Sequence, residues 1–207
     1  MFMEIRGTEK MKNITKEEIN IKEFFEKYPN VAIALSGGVD SVFLVYMAKK
    51  YAKSVKAYFV KSVFQPEFEK KDAEKICRQL GVDLKILNVD VLSNKLVTDN
   101  PVNRCYYCKQ GVFGTILEAA KNDGMTVILD GTNASDDAMK ALQEMKVLSP
   151  LRMCGYVKSE IRKQSKEAGL FVYNKPSYAC LATRIPTGTE IDEEKIKQVE
   201  TAETFLF

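Results

Sequence analysis

The feature that most constrains the fold is a junction between an apolar segment and a helix at residues 31–50. Val31 to Leu35 is a short, fully apolar run that fits a buried strand, and Ser41 to Lys50 reads as a helix. Between them lies Ser36-Gly37-Gly38-Val39-Asp40-Ser41, with two glycines, two hydroxyls and one carboxylate. A strand-to-helix turn needs only one capping side chain, so this concentration of polar and flexible residues indicates a further role.

The rest of the chain alternates between strand-like and helix-like segments. Strands are predicted at residues 31–35, 55–60, 84–89, 126–129 and 170–173. Helices are predicted at residues 41–50, 66–80, 109–121, 159–167 and 191–205. Strands that alternate with helices favour parallel βαβ units. The sequence therefore predicts an α/β fold, Rossmann-like, in which a parallel sheet carries helices on both faces.

Composition excludes several classes of protein. The 207 residues include no histidine, which excludes a Ser-His-Asp triad, a Cys-His dyad and a His-ligated zinc site in this chain. The odd number of cysteines, five, argues for thiol, metal or sulfur chemistry, or for core packing, over a disulfide framework. No apolar run approaches the ~20 residues of a membrane span, and the first residues have no secretory signal core. A cytoplasmic protein without membrane contact is predicted.

The polar junction has the chemistry of a phosphate site. In an open α/β sheet, ligands bind at the carboxyl ends of the strands, where helix N-termini present unpaired N–H groups to anions. The glycines let the backbone approach a ligand, the two serines add hydroxyl donors, and Asp40 suits a magnesium ion that bridges phosphates. The predicted phosphate-binding residues are Ser36, Gly37, Gly38, Val39, Asp40 and Ser41.

A second polar segment, Asp130-Gly131-Thr132-Asn133-Ala134-Ser135-Asp136, follows the fourth predicted strand directly. It is therefore expected at the same edge of the sheet as the first. Gly131, Thr132 and Asn133 are predicted nucleotide contacts, and Asp136 is a candidate second magnesium ligand. The alternative is a helix cap, and a cap beside a phosphate site can have both functions.

The six residues SGGVDS resemble the pyrophosphate loop of the ATP pyrophosphatases, which cleave ATP between its α- and β-phosphates. Three later segments, NPVNRCYYCK at 100–109, LDGTNASD at 129–136 and KPSYACLATRIP at 175–186, resemble the LarE family of ATP-dependent sacrificial sulfur transferases. This resemblance covers about residues 15–205. It implies an adenine nucleotide alpha-hydrolase-like fold, the cofactors ATP and magnesium, a pyridinium mononucleotide substrate for nickel-pincer cofactor synthesis, and a homo-oligomer.

The resemblance also implies roles for single residues. ATP would adenylate a pyridinium carboxylate with the help of Asp40, and Cys180 would attack the adenylate and give up its sulfur, leaving dehydroalanine. Arg184 is implied as a catalytic residue, because nearby cations lower the pKa of a cysteine. Arg104, Lys175 and Arg184 are the implied substrate-binding residues. The alternative for Cys180 is a small hydrophobic residue of the core.

A second cysteine role stays open. Cys105-Tyr106-Tyr107-Cys108 is a CxxC motif, which cannot complete a tetrahedral zinc site without further ligands. Some LarE relatives are thought to hold a [4Fe–4S] cluster on three cysteines. Cys105, Cys108 and Cys180 would form such a trio if the fold brings them together, and Cys180 would then be a ligand and not the sulfur donor. Otherwise the CxxC pair packs at the start of a helix.

The sequence departs from the LarE pattern in two places. The loop after Asp136 is shorter than in the family, and residues 191–207 read as the start of a C-terminal helix or domain, apparently truncated, after a nucleotide domain at 1–190. The rival functions are a tRNA thiolase, an amide-forming ATP pyrophosphatase and a non-enzymatic nucleotide-binding module. The net charge of only +3 gives no sign of an extended RNA-binding surface, so nucleic acid is not the expected partner.

Overall fold

The computed structural model describes residues 20–134 and 140–206, so the predicted ligand Asp136 lies outside the described residues. The described chain forms a parallel sheet with the strand order β3-β2-β1-β4. The strands are β1 (Asn30–Ala34), β2 (Ser54–Lys61), β3 (Asp83–Asn88) and β4 (Ile128–Leu129). Ala32 of β1 is opposite Lys56 on one side and Ile128 on the other. The predicted parallel α/β sheet is confirmed.

Within the described residues, one helix precedes β1, and the others occupy the intervals between the strands and the part of the chain that follows β4. They are α1 (Ile21–Lys27), α2 (Val39–Tyr51), α3 (Glu67–Leu80), α4 (Lys95–Thr98), α5 (Arg104–Asn122), α6 (Lys140–Glu144), α7 (Pro150–Met153), α8 (Lys158–Glu167) and α9 (Glu193–Leu206). Short 3-10 helices lie at Phe171–Asn174 and Leu181–Arg184. None of the helices in the described ranges has the length and apolar character that crossing a membrane requires.

Two sequence predictions need correction. The predicted strand at 170–173 is wrong, because this segment forms a 3-10 helix whose N–H groups bond locally, as Tyr173 N does to the Leu170 carbonyl oxygen. Its apolar residues, Leu170 and Val172, are buried beneath α8 and not in a sheet. Helix α5 begins at Arg104 and not near residue 109, so the CxxC motif lies in the first turns of the helix.

Alternating residues of β1 pack against different layers of helices. Val31 and Ile33 belong to a core that also contains the buried residues of α1, α2, α3 and α8. Ala32, between them, belongs to a second core with Phe113 and Ile116 of α5. Because side chains alternate between the two faces of a strand, helices cover both faces of the sheet, as the sequence predicts.

A third, smaller cluster lies beyond the carboxyl end of β2. Phe64, which follows β2, packs there with Leu181, Ile185 and Ile196. The buried side chain of Asn100 secures this region, since its amide nitrogen donates to the carbonyl oxygens of Ile185 at 3.3 Å and Pro186 at 2.9 Å. The segment that contains Cys180 is therefore fixed to the same edge of the sheet as the SGGVDS loop.

Candidate functional site

The SGGVDS loop leaves β1 and enters α2 with its hydroxyl groups already bonded to the loop itself. Ser36 N donates to Ser41 Oγ at 3.2 Å, and Ser41 Oγ donates to the Gly38 carbonyl oxygen at 3.1 Å. The two hydroxyl oxygens, of Ser36 and Ser41, are 3.0 Å apart. Because α2 begins at Val39, the N–H groups of its first turn lie in this loop. The internal hydrogen bonds therefore fix the shape of the loop, and the N–H groups at the start of α2 are its donors.

The fold constrains the two glycines of the loop differently. Gly37 has a φ of +80°, and a Cβ there would stand 3.0 Å from the Glu69 carbonyl oxygen, so the fold itself requires this glycine. A Cβ on Gly38 would meet only Ser36 Oγ, at an ordinary 3.6 Å. The fold leaves room for a side chain at Gly38, and a bare backbone there suits close approach of a ligand.

Asp40, in the first turn of α2, has one paired and one unpaired oxygen. Its Oδ2 accepts a hydrogen bond from Lys158 Nζ at the start of α8. Its Oδ1 is buried and has no hydrogen-bond partner among the described residues. A buried, unpaired carboxylate oxygen beside a phosphate-type loop is a suitable magnesium ligand. The sequence analysis did not select Lys158, because a lysine on a charged helix is usually solvated. Its position at the start of the helix is the one sequence feature that could have indicated a role at the site.

The segment after β4 packs directly against α2. A Cβ on Gly131 would stand 2.7 Å from Ser41 N and 2.8 Å from Ser41 Cα, so only glycine permits this approach. Asp130, which precedes it, is buried and accepts hydrogen bonds from Ser149 Oγ at 2.5 Å and from the Thr132 hydroxyl. Burial raises the pKa of Asp130, while the bonds from these two hydroxyls oppose the rise.

Thr132 and Asn133, two predicted nucleotide contacts on this segment, have different surroundings. The Thr132 hydroxyl donates to a neighbouring carboxylate, and Asn133 is buried at 3% exposure. Asp130 was not selected from the sequence as a functional residue, although it begins the predicted polar segment. Its position immediately before the glycine at the strand end was the signal that could have identified it.

A pocket of about 320 Å³ lies between the SGGVDS loop, the end of β2 and the first half of α5. The side toward the loop is polar, with Ser36, Asp40 and Thr132, whereas the side toward α5 is apolar, with Phe113 and Ile116. Lys109 and Gln65 also contribute to its wall. A concave apolar surface with a few polar groups at one side suits a flat base that carries a polar, charged tail.

Cys180 lies on the segment that passes this edge of the sheet. The next residue is fixed to the chain after β2, because Leu181 N donates to the Phe64 carbonyl oxygen at 3.0 Å. Burial raises the pKa of the Cys180 thiol, and the Arg104 guanidinium opposes this rise, together with the N–H groups of Thr183 and Ala182. A nearby cation and the N–H groups at a helix start favour the thiolate form.

Arg104, the first residue of α5, is buried at 8% exposure. Its Nη1 donates to Asn100 Oδ1 and to the Ala182 carbonyl oxygen, both at 2.8 Å, and its Nη2 lies 3.7 Å from Cys105 Sγ. The sequence analysis placed this residue among the substrate contacts. In the structure its guanidinium holds the Cys180 segment and is the cation with the largest effect on the pKa of Cys180.

The three cysteines of the predicted trio lie in one region. Burial, reinforced by the neighbouring Cys180 and Cys105, raises the pKa of Cys108 to about 11. Cys105 is exposed, whereas Cys108 and Cys180 are partly buried. Within residues 20–134 and 140–206, however, no group of three or more His, Cys, Asp or Glu side chains is arranged to hold a metal ion. The cysteines therefore share a region without forming a ligand set for a cluster.

The two remaining predicted cations have partners inside the protein. Arg184 Nε donates to Glu203 Oε1 of α9 at 2.5 Å, and Tyr178 donates to the same carboxylate. Lys175 Nζ donates to Asp72 Oδ2 at 2.6 Å and to the Gly37 carbonyl oxygen at 3.2 Å. These partners are far away in sequence, and sequence periodicity does not reveal them.

Comparison with known proteins shows which family the chain resembles. A family model described as a PP-loop domain matches residues 8–152. The chain is 32% identical over 194 residues to the uncharacterized protein slr1717 of Synechocystis sp., and 28% identical over 183 residues to the pyridinium-3,5-bisthiocarboxylic acid mononucleotide synthase of Lactiplantibacillus plantarum. It is also 28% identical over 211 residues to the tRNA-specific 2-thiouridylase MnmA of Pseudothermotoga lettingae.

These matches cover most of this chain but less of the relatives. They include 90%, 85% and 81% of the chain, in the order given, and 72%, 66% and 60% of the three relatives. The similarity to the pyridinium mononucleotide synthase confirms the resemblance that the sequence motifs indicate.

Proposed function

The chain belongs to the PP-loop domain family, and on that premise we propose that it is an ATP-dependent sulfur transferase acting on a carboxylate of a pyridinium mononucleotide. The similarity to the pyridinium mononucleotide synthase supports the choice of substrate. The observation that carries the proposal is the placement of Cys180 at the sheet edge that also holds the SGGVDS loop, where the buried Arg104 guanidinium donates to the Ala182 carbonyl oxygen.

The nucleotide would occupy the pocket beside the loop. Its phosphates would receive hydrogen bonds from Ser36, from Ser41 and from the N–H groups at the start of α2. The base would lie against the apolar wall formed by Phe113 and Ile116. Magnesium, bound with the nucleotide, would neutralise phosphate charge, and the unpaired Oδ1 of Asp40 is the oxygen suited to hold it. Gly131, Thr132 and Asn133 line or support this site in the proposal.

The first two chemical steps form a thioester on Cys180. A substrate carboxylate oxygen attacks the α-phosphorus of ATP, the bond to the β-phosphate breaks, and pyrophosphate leaves. The Cys180 thiolate next attacks the carbonyl carbon of the acyl adenylate, so a thioester forms and AMP leaves. Arg104 favours the thiolate that this attack requires.

Release of the sulfur completes the proposed reaction. A base removes the Cα proton of Cys180, and its electron pair forms the Cα=Cβ double bond as the Cβ–S bond breaks. The thiocarboxylate leaves with the sulfur, and dehydroalanine stays in the chain. Because the thiol is consumed, each protein molecule transfers one sulfur. The described cysteines do not form a ligand set for a [4Fe–4S] cluster, so we assign the sulfur donor to Cys180 itself.

The test is the intact mass of the protein after reaction. Incubation with ATP, magnesium and the carboxylated pyridinium mononucleotide should release AMP and pyrophosphate and make the protein lighter by one hydrogen sulfide. Peptide mapping should find dehydroalanine at position 180. Cys180→Ala should transfer no sulfur, whereas Cys154→Ala, a matched change of a partly buried cysteine that packs in the core with α1 and α2, should behave as wild type.

Three outcomes would contradict the proposal. Sulfur transfer with an unchanged mass would exclude Cys180 as the donor, and bound iron with several turnovers per chain would point to the cluster instead. Nucleotide binding without pyrophosphate release in the presence of substrate would indicate a non-enzymatic module.

A second candidate, tRNA thiolation, is supported by the similarity to the 2-thiouridylase. Against it, three basic residues of the segment 152–184 are engaged within the protein: Lys158 with Asp40, Lys175 with Asp72 and Arg184 with Glu203. These ion pairs reduce the positive charge that the segment can offer to an RNA backbone. Salt-sensitive binding of bulk tRNA, with thiouridine formed on addition of ATP and a sulfur source, would favour this candidate.

A further inference from the structure

Lys175 connects the phosphate loop to the segment that carries Cys180. Its ammonium group donates to the Gly37 carbonyl oxygen at 3.2 Å and to Asp72 Oδ2 of α3 at 2.6 Å, and its side chain is only 16% exposed. The same cation lies 5.0 Å from the centre of the Phe68 ring. With these partners the lysine is held in one position, on the inner side of the loop.

One face of α3 supports both ends of this connection. The Glu69 carbonyl oxygen packs against Gly37, at 3.0 Å from where a Cβ would stand. Phe68 makes an edge-to-face contact with Tyr178, with ring centres 5.0 Å apart. Since Tyr178 is two residues before Cys180, α3 contacts the phosphate loop and the cysteine segment at once.

The chain between Lys175 and Cys180 is short and well anchored. The Lys175 carbonyl oxygen accepts a hydrogen bond from Arg162 Nη2 at 2.8 Å, and Pro176 follows with its restricted φ. After Cys180, Leu181 N is bonded to the Phe64 carbonyl oxygen. Four residues separate the lysine from the cysteine, and hydrogen bonds hold both ends of this short segment to the rest of the protein.

We propose that Lys175 is a positioning residue that couples nucleotide binding in the SGGVDS loop to the exposure of Cys180. The inference rests on the proposed function only in that the loop binds a nucleotide. Phosphate charge in the loop lies next to the Gly37 carbonyl and attracts the ammonium group bonded to it. The attraction holds Lys175 and its segment more firmly, and the Cys180 thiol becomes less accessible to an alkylating reagent until substrate arrives.

The experiment follows the alkylation of Cys180 with and without nucleotide. The probe is magnesium with α,β-methylene ATP, whose α–β linkage is not cleaved, and iodoacetamide alkylation is read by peptide mapping with Cys154 as the internal reference. In wild type the analogue should slow alkylation of Cys180 at least about fivefold, the lower end of typical coupling between sites. In Lys175→Met the analogue should still bind, but it should slow alkylation of Cys180 by less than about twofold.

The control is Lys163→Met, which removes an exposed lysine of α8 and should keep the wild-type response. If Lys175→Met does not fold, Asp72→Asn tests the same contact with a nearly isosteric change and should weaken the coupling, whereas Lys175→Arg should retain most of it. A full wild-type response in Lys175→Met or Asp72→Asn would overturn the coupling alone, as would an unchanged Cys180 rate in wild type that binds the analogue. Failure of wild type to bind the analogue would overturn the proposed function and the coupling together.

Discussion

Replacement of Gly131 by alanine should disable the phosphate loop without unfolding the protein. The added Cβ would lie 2.7 Å from Ser41 N and 2.8 Å from Ser41 Cα, both backbone atoms at the start of α2. Ordinary contact between such atoms is about 3.5 Å, so one of the two backbones has to move by roughly 0.8 Å. Neither atom belongs to a flexible side chain that could turn away.

Two consequences follow from a displacement of this size. Overpacking typically costs about 1–3 kcal/mol of the free energy of unfolding, which most domains of this size survive. A displacement of about 1 Å in positioned groups costs about 100-fold in rate, because the reacting atoms no longer meet in line. Gly131→Ala should therefore lose about two orders of magnitude in pyrophosphate release and only a small part of its stability.

The measurements are urea unfolding and substrate-dependent pyrophosphate release, with Gly114→Ala as the matched control. Gly114 lies inside α5, and a Cβ there would meet nothing within 4 Å, so alanine should raise stability by up to about 1 kcal/mol and leave activity unchanged. If Gly131→Ala released pyrophosphate at the wild-type rate, the close approach of this segment to α2 would not position the loop, and the reasoning would be refuted.

Three further predictions concern charged and polar groups around the site and the sheet. Burial raises the pKa of Glu69 from 4.5 to about 7, so between these pH values the folded protein holds a proton that the unfolded chain loses. The free energy of unfolding of wild type, measured by urea titration, should therefore fall by up to about 3 kcal/mol between pH 4.5 and 7. Glu69→Gln should not show this fall. Tyr58→Phe removes a 2.8 Å hydrogen bond to the Asp123 carboxylate and should cost about 2 kcal/mol of unfolding free energy; an unchanged urea midpoint would contradict this. Arg104→Met should raise the pKa of Cys180, seen as a shift of the alkylation-rate profile to higher pH, and an unshifted profile would remove Arg104 from the proposed mechanism.

The fold could be predicted largely because its signals are local. The apolar run at 31–35 and the polar junction after it describe a buried strand that enters a helix, and the structure has β1 and α2 there. The failure at 170–173 has the same origin, since a short apolar run does not say which surface buries it. Leu170 and Val172 are buried beneath α8 instead of in a sheet.

The site was less predictable, because its contacts join distant parts of the sequence. Lys158 and Asp40 are 118 positions apart, and Lys175 and Asp72 are 103 apart. Periodicity indicates that a charged side chain is near a surface, but not which partner it meets there. For the same reason Arg104 was expected to contact substrate, whereas the fold buries its guanidinium and bonds it to the Ala182 carbonyl oxygen.

The strand order also affects the sequence of events in folding. Ala32 pairs with Lys56, 24 positions away, and with Ile128, 96 positions away. A fourfold longer loop adds about 1.2 kcal/mol to the entropic cost of closure. The β1–β4 pairing, which closes the longer loop, also joins fewer residues than the β1–β2 pairing. This contact is therefore expected late in folding, after β1 and β2 have joined. Since Gly131 follows β4, the ability to bind nucleotide should be among the last properties to return when the unfolded chain refolds.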